Sequence, residues 1–158
     1  SGRPDGSIPQ LNAQRRADLE NKLHRLRLGT LHIPVMDPFA RAIGAAEVGE
    51  IARYLSELPL NEASAADLKS AERARAASTF AQHCAACHGT NGEGNDGVMA
   101  SRLCGQYAPY LERRLDEFHA GVRGAADAIM QGIVGTVPDE DLRLVVGWLS
   151  EGECCVGP

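Results

Sequence analysis

CAACHGTNGEG, residues 84–94, sets two cysteines three positions apart, a histidine directly after the second, and a glycine-rich turn behind them. The pattern occurs once in a chain of 158 residues with five cysteines. Much of what surrounds it occurs twice. Shifted by 92 positions, Leu11, Gln14, Leu19, Leu23 and Gly29 fall on Leu103, Gln106, Leu111, Leu115 and Gly121. Shifted by 94, after a two-residue indel, Met36, Phe39, Ile43, Glu47, Val48, Ile51, Tyr54 and Leu55 fall on Met130, Ile133, Val137, Asp141, Leu142, Val145, Trp148 and Leu149. Matches that keep one order over about 50 residues point to an internal duplication rather than to chance likeness between helices.

Each copy reads as a helix, a loop containing a methionine, and a last helix. Leu111, Leu115 and Phe118 line one face, stopped by Gly121 as a C-terminal cap; Leu19, Leu23 and Leu26 are stopped in the same way by Gly29. Val48, Ile51, Ala52 and Leu55 match Leu142, Val145, Val146 and Leu149, the stripe of an amphipathic helix. Asp139, Glu140 and Asp141 follow Pro138, acidic residues suited to a helix start. Between the copies a linker passes into a further helix, from about Leu68 through an alanine-rich stretch to His83. Copy one has no counterpart of that helix or of the cysteine motif, whose projected partner falls before residue 1. RPDG at residues 3–6 resembles GNDG at 94–97, so the numbered chain is expected to begin just after a first motif. The expected layout is a partial domain over residues 1–60, a linker over 61–69 and a complete domain over 70–158.

Hydrophobic residues make up 44% and charged residues 23%, a globular composition, but aromatics are only 4%. A unit of about 80 residues buries only about 60% of its unfolded surface and commonly needs a cofactor, metal or disulfide. The net charge is −5: residues 1–70 carry nine basic and nine acidic side chains, residues 71–158 seven and twelve. That excess disfavours nucleic acid as a partner and suits an oppositely charged docking surface, although a merely solvated acidic face is as ordinary a reading. No apolar run reaches the roughly 18 residues of a membrane span, and SGRPDGS has neither the basic nor the apolar part of a signal peptide.

C-x-x-C-H is the signature of covalent haem attachment: two thiols one helical turn apart form thioethers and the adjacent histidine reaches the iron. Cys84, Cys87 and His88 are those residues. Zinc wants four ligands, and Cys104 with the adjacent Cys154 and Cys155 makes no second C-x-x-C. Thiol redox chemistry of the thioredoxin kind needs a βαβ setting that this helical pattern lacks. Met130, 42 residues beyond His88 and matched by Met36, is the candidate sixth ligand, against the ordinary reading of a core methionine. Met99 lies too near His88 in sequence and reads as packing.

CAACHGTNGEG, RLCGQYAPYLERRLDEFHAG, AIMQGI and PDEDLRLVVGWL resemble the second half of the dihaem cytochromes c4, a class I cytochrome c family. IPQLNAQRRADLENKLHRLRLGT and PVMDPFARAIGAAEVGEIARYLSELP resemble the first half without its attachment segment. The resemblance implies an all-α fold of two tandem class I cytochrome c-like domains, the first lacking its N-terminal helix and C-x-x-C-H segment. It implies one haem c held through Cys84 and Cys87, iron ligated by His88 and Met130, and Met36 ligating a second haem where the missing segment is present. The family's proline, whose carbonyl fixes the ligand histidine, is replaced by Ser101, which leaves support for His88 open. Cys104 replaces a small apolar residue and reads as a buried thiol; an oxidising compartment permits a bridge to Cys154 or Cys155, which sequence spacing does not establish.

His24 and His119 read as surface residues at helix ends, His83 as facing away from the motif, and His32 as a minor alternative ligand beside Met36. Histidine and methionine together saturate the iron, which suits one-electron exchange rather than substrate binding. The expected role is a periplasmic electron carrier, or a cytochrome subunit of a redox complex, serving redox protein partners and a terminal oxidase or reductase of a respiratory chain. Two other classes compete: a haem enzyme acting on a small sulfur or oxygen compound after Met130 dissociates, and a docking module whose copy one has lost its haem.

Overall fold

The structure, a computed structural model, describes residues 5–6, 8–61, 67–122 and 128–155. Most of the expected linker, and Arg3 and Pro4 of the RPDG comparison, lie outside them. Eight α-helices follow in order among the described residues: α1 (Arg16–Arg27), α2 (Asp37–Ala42), α3 (Glu47–Glu57), α4 (Ser70–His83), α5 (Ala85–His88), α6 (Ala108–His119), α7 (Ala128–Val134) and α8 (Asp139–Ser150). No strand is present among the described residues, only a bridge between Asn95 and Ala100.

The repeat seen in sequence is a repeat in space. In the first half α1 packs against α2 and α3; in the second, α6 packs against α7 and α8. Both α1 and α6 stop in the same way. The backbone N–H of Gly29 donates to Leu26 O and that of Thr30 to Arg25 O; that of Gly121 donates to Phe118 O and that of Val122 to Glu117 O. Both glycines are left-handed, at φ +70° and +64°. This is the paired hydrogen-bond stop in which glycine avoids the steric cost of a Cβ.

The methionine segments differ from the expected loops. Met130 lies within α7 and Met36 at the N-cap of α2, so each loop carries a short helix. Met99, expected to pack, is instead 52% exposed, on a left-handed residue closing a 3₁₀ turn over Asp96–Val98.

In the second half α4 is laid across α8, the last helix. Ala76 and Phe80, four apart on α4, are fully buried, and Phe80 meets Trp148 of α8 with ring centroids 5.2 Å apart. Val145, Val146 and Leu149 complete that core with Leu111 of α6. Arg73 pairs with Glu151 at one end of α8, and Arg75 with Glu140 and Asp141 at the other. In the first half Tyr54, the counterpart of Trp148, is 61% exposed, and Phe39 is 64% exposed.

A pseudo-two-fold relation joins the halves. Gln14 Nε2 donates to Arg102 O at 2.7 Å, and Arg102 N donates to Gln14 Oε1 at 3.0 Å. Gln106 Nε2 donates to Gln10 O at 3.0 Å, and Gln10 N donates to Gln106 Oε1 at 2.8 Å. Positions 10 and 102, like 14 and 106, are 92 apart. Each glutamine thus reads the other half's backbone, and the duplication generates its own interface.

Candidate haem c site

The attachment segment is built by the end of α4. Its last turn runs into Cys84, whose carbonyl accepts from Cys87 N at 3.2 Å and His88 N at 3.0 Å, so Cys84, Cys87 and His88 share one tight turn. Neither Cys84 nor Cys87 is in a disulfide. Burial, and then the neighbouring Cys87, push the Cys84 thiol up to about 11. Reactive C-x-x-C pairs have the opposite shift, toward the thiolate, so this pair is not poised for thiol exchange.

His88 is buried. Its Nδ1 lies 2.9 Å from Ser101 O, and a carbonyl can only accept, so Nδ1 carries the proton and Nε2 keeps its lone pair. Burial, opposed by that hydrogen bond, holds the imidazole below its usual range and hence neutral, the state a metal requires. The question left by Ser101 in place of proline is answered: the main chain supplies the acceptor whatever side chain stands there.

Two glycines let the strap that carries Ser101 come close. Gly92 O accepts from Leu103 N at 2.8 Å and Cys104 N at 3.0 Å. A Cβ on Gly92 (φ +69°) would lie 2.9 Å from Leu149, and one on Gly94 (φ +82°) 2.8 Å from Arg102 N. Both positions are therefore closed to larger residues.

Lys22 and Asp18 of the first half reach the same place, and sequence reasoning missed both. Lys22 Nζ donates to Asp18 Oδ2 and to Ser101 Oγ, each at 2.7 Å. The Asp18 side chain is only 5% exposed. The one available signal was an i, i+4 acid–base pair on α1, and such pairs are usually solvent-facing.

Met130 is half-buried and packs against Val134, Val137 and Leu142. Leu115 touches both this cluster and the one that includes Cys84. The attachment turn and the methionine helix therefore flank one apolar layer. Ile129, next to Met130, is 77% exposed, and Val98 and Val122 are exposed as well, apolar surface of the kind a bound macrocycle covers. Met36 stands apart in the first half, half-buried, with Ile33, Val35 and Phe39 exposed around it. His24, His83 and His119 are all exposed; His32 is exposed too, 3.5 Å from Asp37. Cys104 is buried as expected, but it is grouped with Cys154 and Cys155 rather than standing alone.

The family model described as Cytochrome c matches residues 73–152, half of the chain, from α4 through α8. The chain belongs to the cytochrome c family. This cytochrome is 32% identical over 68 residues to cytochrome c4 of Azotobacter vinelandii, a match covering 42% of it and 32% of the relative. It therefore spans about a third of that relative's length. With cytochrome c-554(548) of Halomonas halodenitrificans it is 35% identical over 71 residues, 44% of this chain and 84% of the relative. The fold of reduced recombinant cytochrome c4 from Pseudomonas stutzeri superposes with a TM-score of 0.79 at 23% identity, covering 96% of this cytochrome and 87% of that chain. Thiosulfate dehydrogenase (TsdBA) from Marichromatium purpuratum superposes with a TM-score of 0.70 at 25% identity, covering 92% of this cytochrome and 34% of that chain. The fold is that of two tandem cytochrome c-like domains of the c4 type, and the cofactor is covalently attached haem c.

Proposed function

We propose that this cytochrome passes single electrons between periplasmic redox partners and a terminal oxidase or reductase, as a free carrier or as the cytochrome subunit of a redox complex. The observation that carries the reading is the His88 ring, buried, neutral and aimed by Ser101 O so that Nε2 is the nitrogen left for iron. Cys84 and Cys87, free thiols on the same turn, tether the cofactor. Met130 gives the sixth ligand from α7. Haem c, when bound, would supply a one-electron couple, and ligation by both His88 and Met130 would leave no vacant position for substrate while raising the potential. Met36 serves a second haem wherever a segment with its own attachment motif accompanies the first half. The likeness to a thiosulfate dehydrogenase supports the subunit form, and the acidic excess of residues 71–158 supports docking on basic surfaces. No helix among the described residues is long and apolar enough to cross a membrane.

Carbon monoxide tests the ligand set. The reduced holoprotein is expected to bind it slowly and to keep a far-red methionine-to-iron band when oxidised. Met130→Ala should bind it rapidly and lose that band, whereas Met99→Ala should do neither. Rapid binding by the unaltered protein would favour the enzymatic reading. Intact-mass haem counting on the native protein reports whether the first half holds a haem.

A further inference from the structure

Three cysteines take no part in the haem site, and the fold brings them together. Cys104 lies on the strap behind His88; Cys154 and Cys155 lie in the 3₁₀ turn after α8. Their sulfurs all fall within 4.8 Å of one another. The Cα–Cα separation from Cys104 is 6.1 Å to Cys154 and 5.6 Å to Cys155, and both lie within the usual disulfide range of about 4.4–6.8 Å. One sulfur makes one disulfide. Cys104 can therefore bond either neighbour, and the other remains a thiol.

We propose that Cys104, Cys154 and Cys155 form a thiol–disulfide exchange site, in which one disulfide from Cys104 alternates between the two vicinal cysteines. The bond is first made by a donor disulfide, which two of the thiols reduce to a pair of thiols. In the exchange, the Cys155 thiolate attacks Cys104 Sγ of the 104–154 bond. The 104–155 bond forms, the 104–154 bond breaks, and the electron pair and a proton end on Cys154 Sγ, with no net oxidation. The two isomers differ in what they show to solvent. Cys154 is 6% exposed and Cys155 is half-buried, so the leftover thiol is reachable in one isomer and hidden in the other. When reachable, it takes small sulfur electrophiles, the low-molecular-weight disulfides, releasing one small thiolate for each mixed disulfide formed. Beside the site the strap is tied to the end of α8: Gly105 N donates to Leu149 O at 2.8 Å, one residue from Cys104.

Thiol counting on the native holoprotein tests this, because thioether-bound Cys84 and Cys87 do not react. Unfolded without reductant, the protein should release one coloured thiolate per chain from an aromatic disulfide reagent, and three after reduction. Prolonged alkylation of the folded protein with iodoacetamide should place the label on Cys155 and leave a 104–154 disulfide. Cys155→Ser and Cys154→Ser should each lose the free thiol, one per chain falling to none, with the haem spectrum unchanged. Three thiols without reduction, stoichiometric zinc or copper, label confined to Cys104 or Cys154, or two free thiols in either variant would overturn the proposal.

Discussion

His88 is held by a carbonyl, and the charges near that carbonyl belong to the other half of the molecule. Lys22 grips the Ser101 hydroxyl while Asp18 holds Lys22, and both charges act on the His88 ring in opposite senses, Lys22 disfavouring extra positive charge and Asp18 favouring it. The oxidised haem iron carries one positive charge more than the reduced, so the same signs apply. Lys22→Met should lower the reduction potential and Asp18→Asn should raise it, as read by spectroelectrochemical titration. Shifts in the same direction would mean that the pair acts only through packing. The placing of His88 on one tight turn with Cys84 and Cys87 was legible because the five-residue motif is local. The Lys22 contact was not, since it depends on a serine hydroxyl and a helix 79 positions away.

Helix α4 covers α8 in the second half, and Phe80 is its anchor. Fully buried against Trp148 and Leu149's cluster, it has no room to be replaced by water. Phe80→Ala should cost about 3–5 kcal/mol, measured by denaturant unfolding of the holoprotein. Tyr54→Ala, at the matching place on α3, should cost under about 0.5 kcal/mol because the ring is exposed. The long helices α1, α3, α6 and α8 were readable from apolar spacing that persists for about three turns, and α4 from its alanine-rich stretch. Helices α2 and α7 were not: at six and seven residues they are too short for a period of 3.6 to declare itself. A bridge from Cys104 to the tail was raised from the sequence but left open, since a separation of 50 residues carries no information on distance.

At the level of the molecule, the links between the halves include the paired amides and the Arg15–Asp96 ion pair. Gln14→Ala strands the N–H and C=O of Arg102, and Gln106→Ala those of Gln10; each should cost about 1–3 kcal/mol, and by symmetry the two losses should be similar in a chemical denaturation series. Arg15 binds Asp96 through two nitrogens, at 2.8 and 2.6 Å, and this hydrogen bonding, with the charge behind it, holds the Asp96 carboxyl below its usual range. A depressed carboxyl contributes stability above its unfolded value and loses it as pH falls through the folded one. Arg15→Ala should therefore be less stable than the parent at pH 7, with the difference closing below about pH 4 and shrinking in high salt. With both side chains over a third exposed, the effect should stay under about 1 kcal/mol.

The glutamine pairs have one more implication. Because the amides of Gln14 and Gln106 are matched to the peptide groups of positions 102 and 10, the pairing survives a change of side chain there: position 102 holds arginine, while the glutamine at position 10 adds a bond of its own to Gly105 O at 2.7 Å. A gene doubled in this way can let its copies grow apart in chemistry, with Lys22 and Asp18 of one presenting charge to the His88 turn of the other, without the two ever losing their mutual alignment.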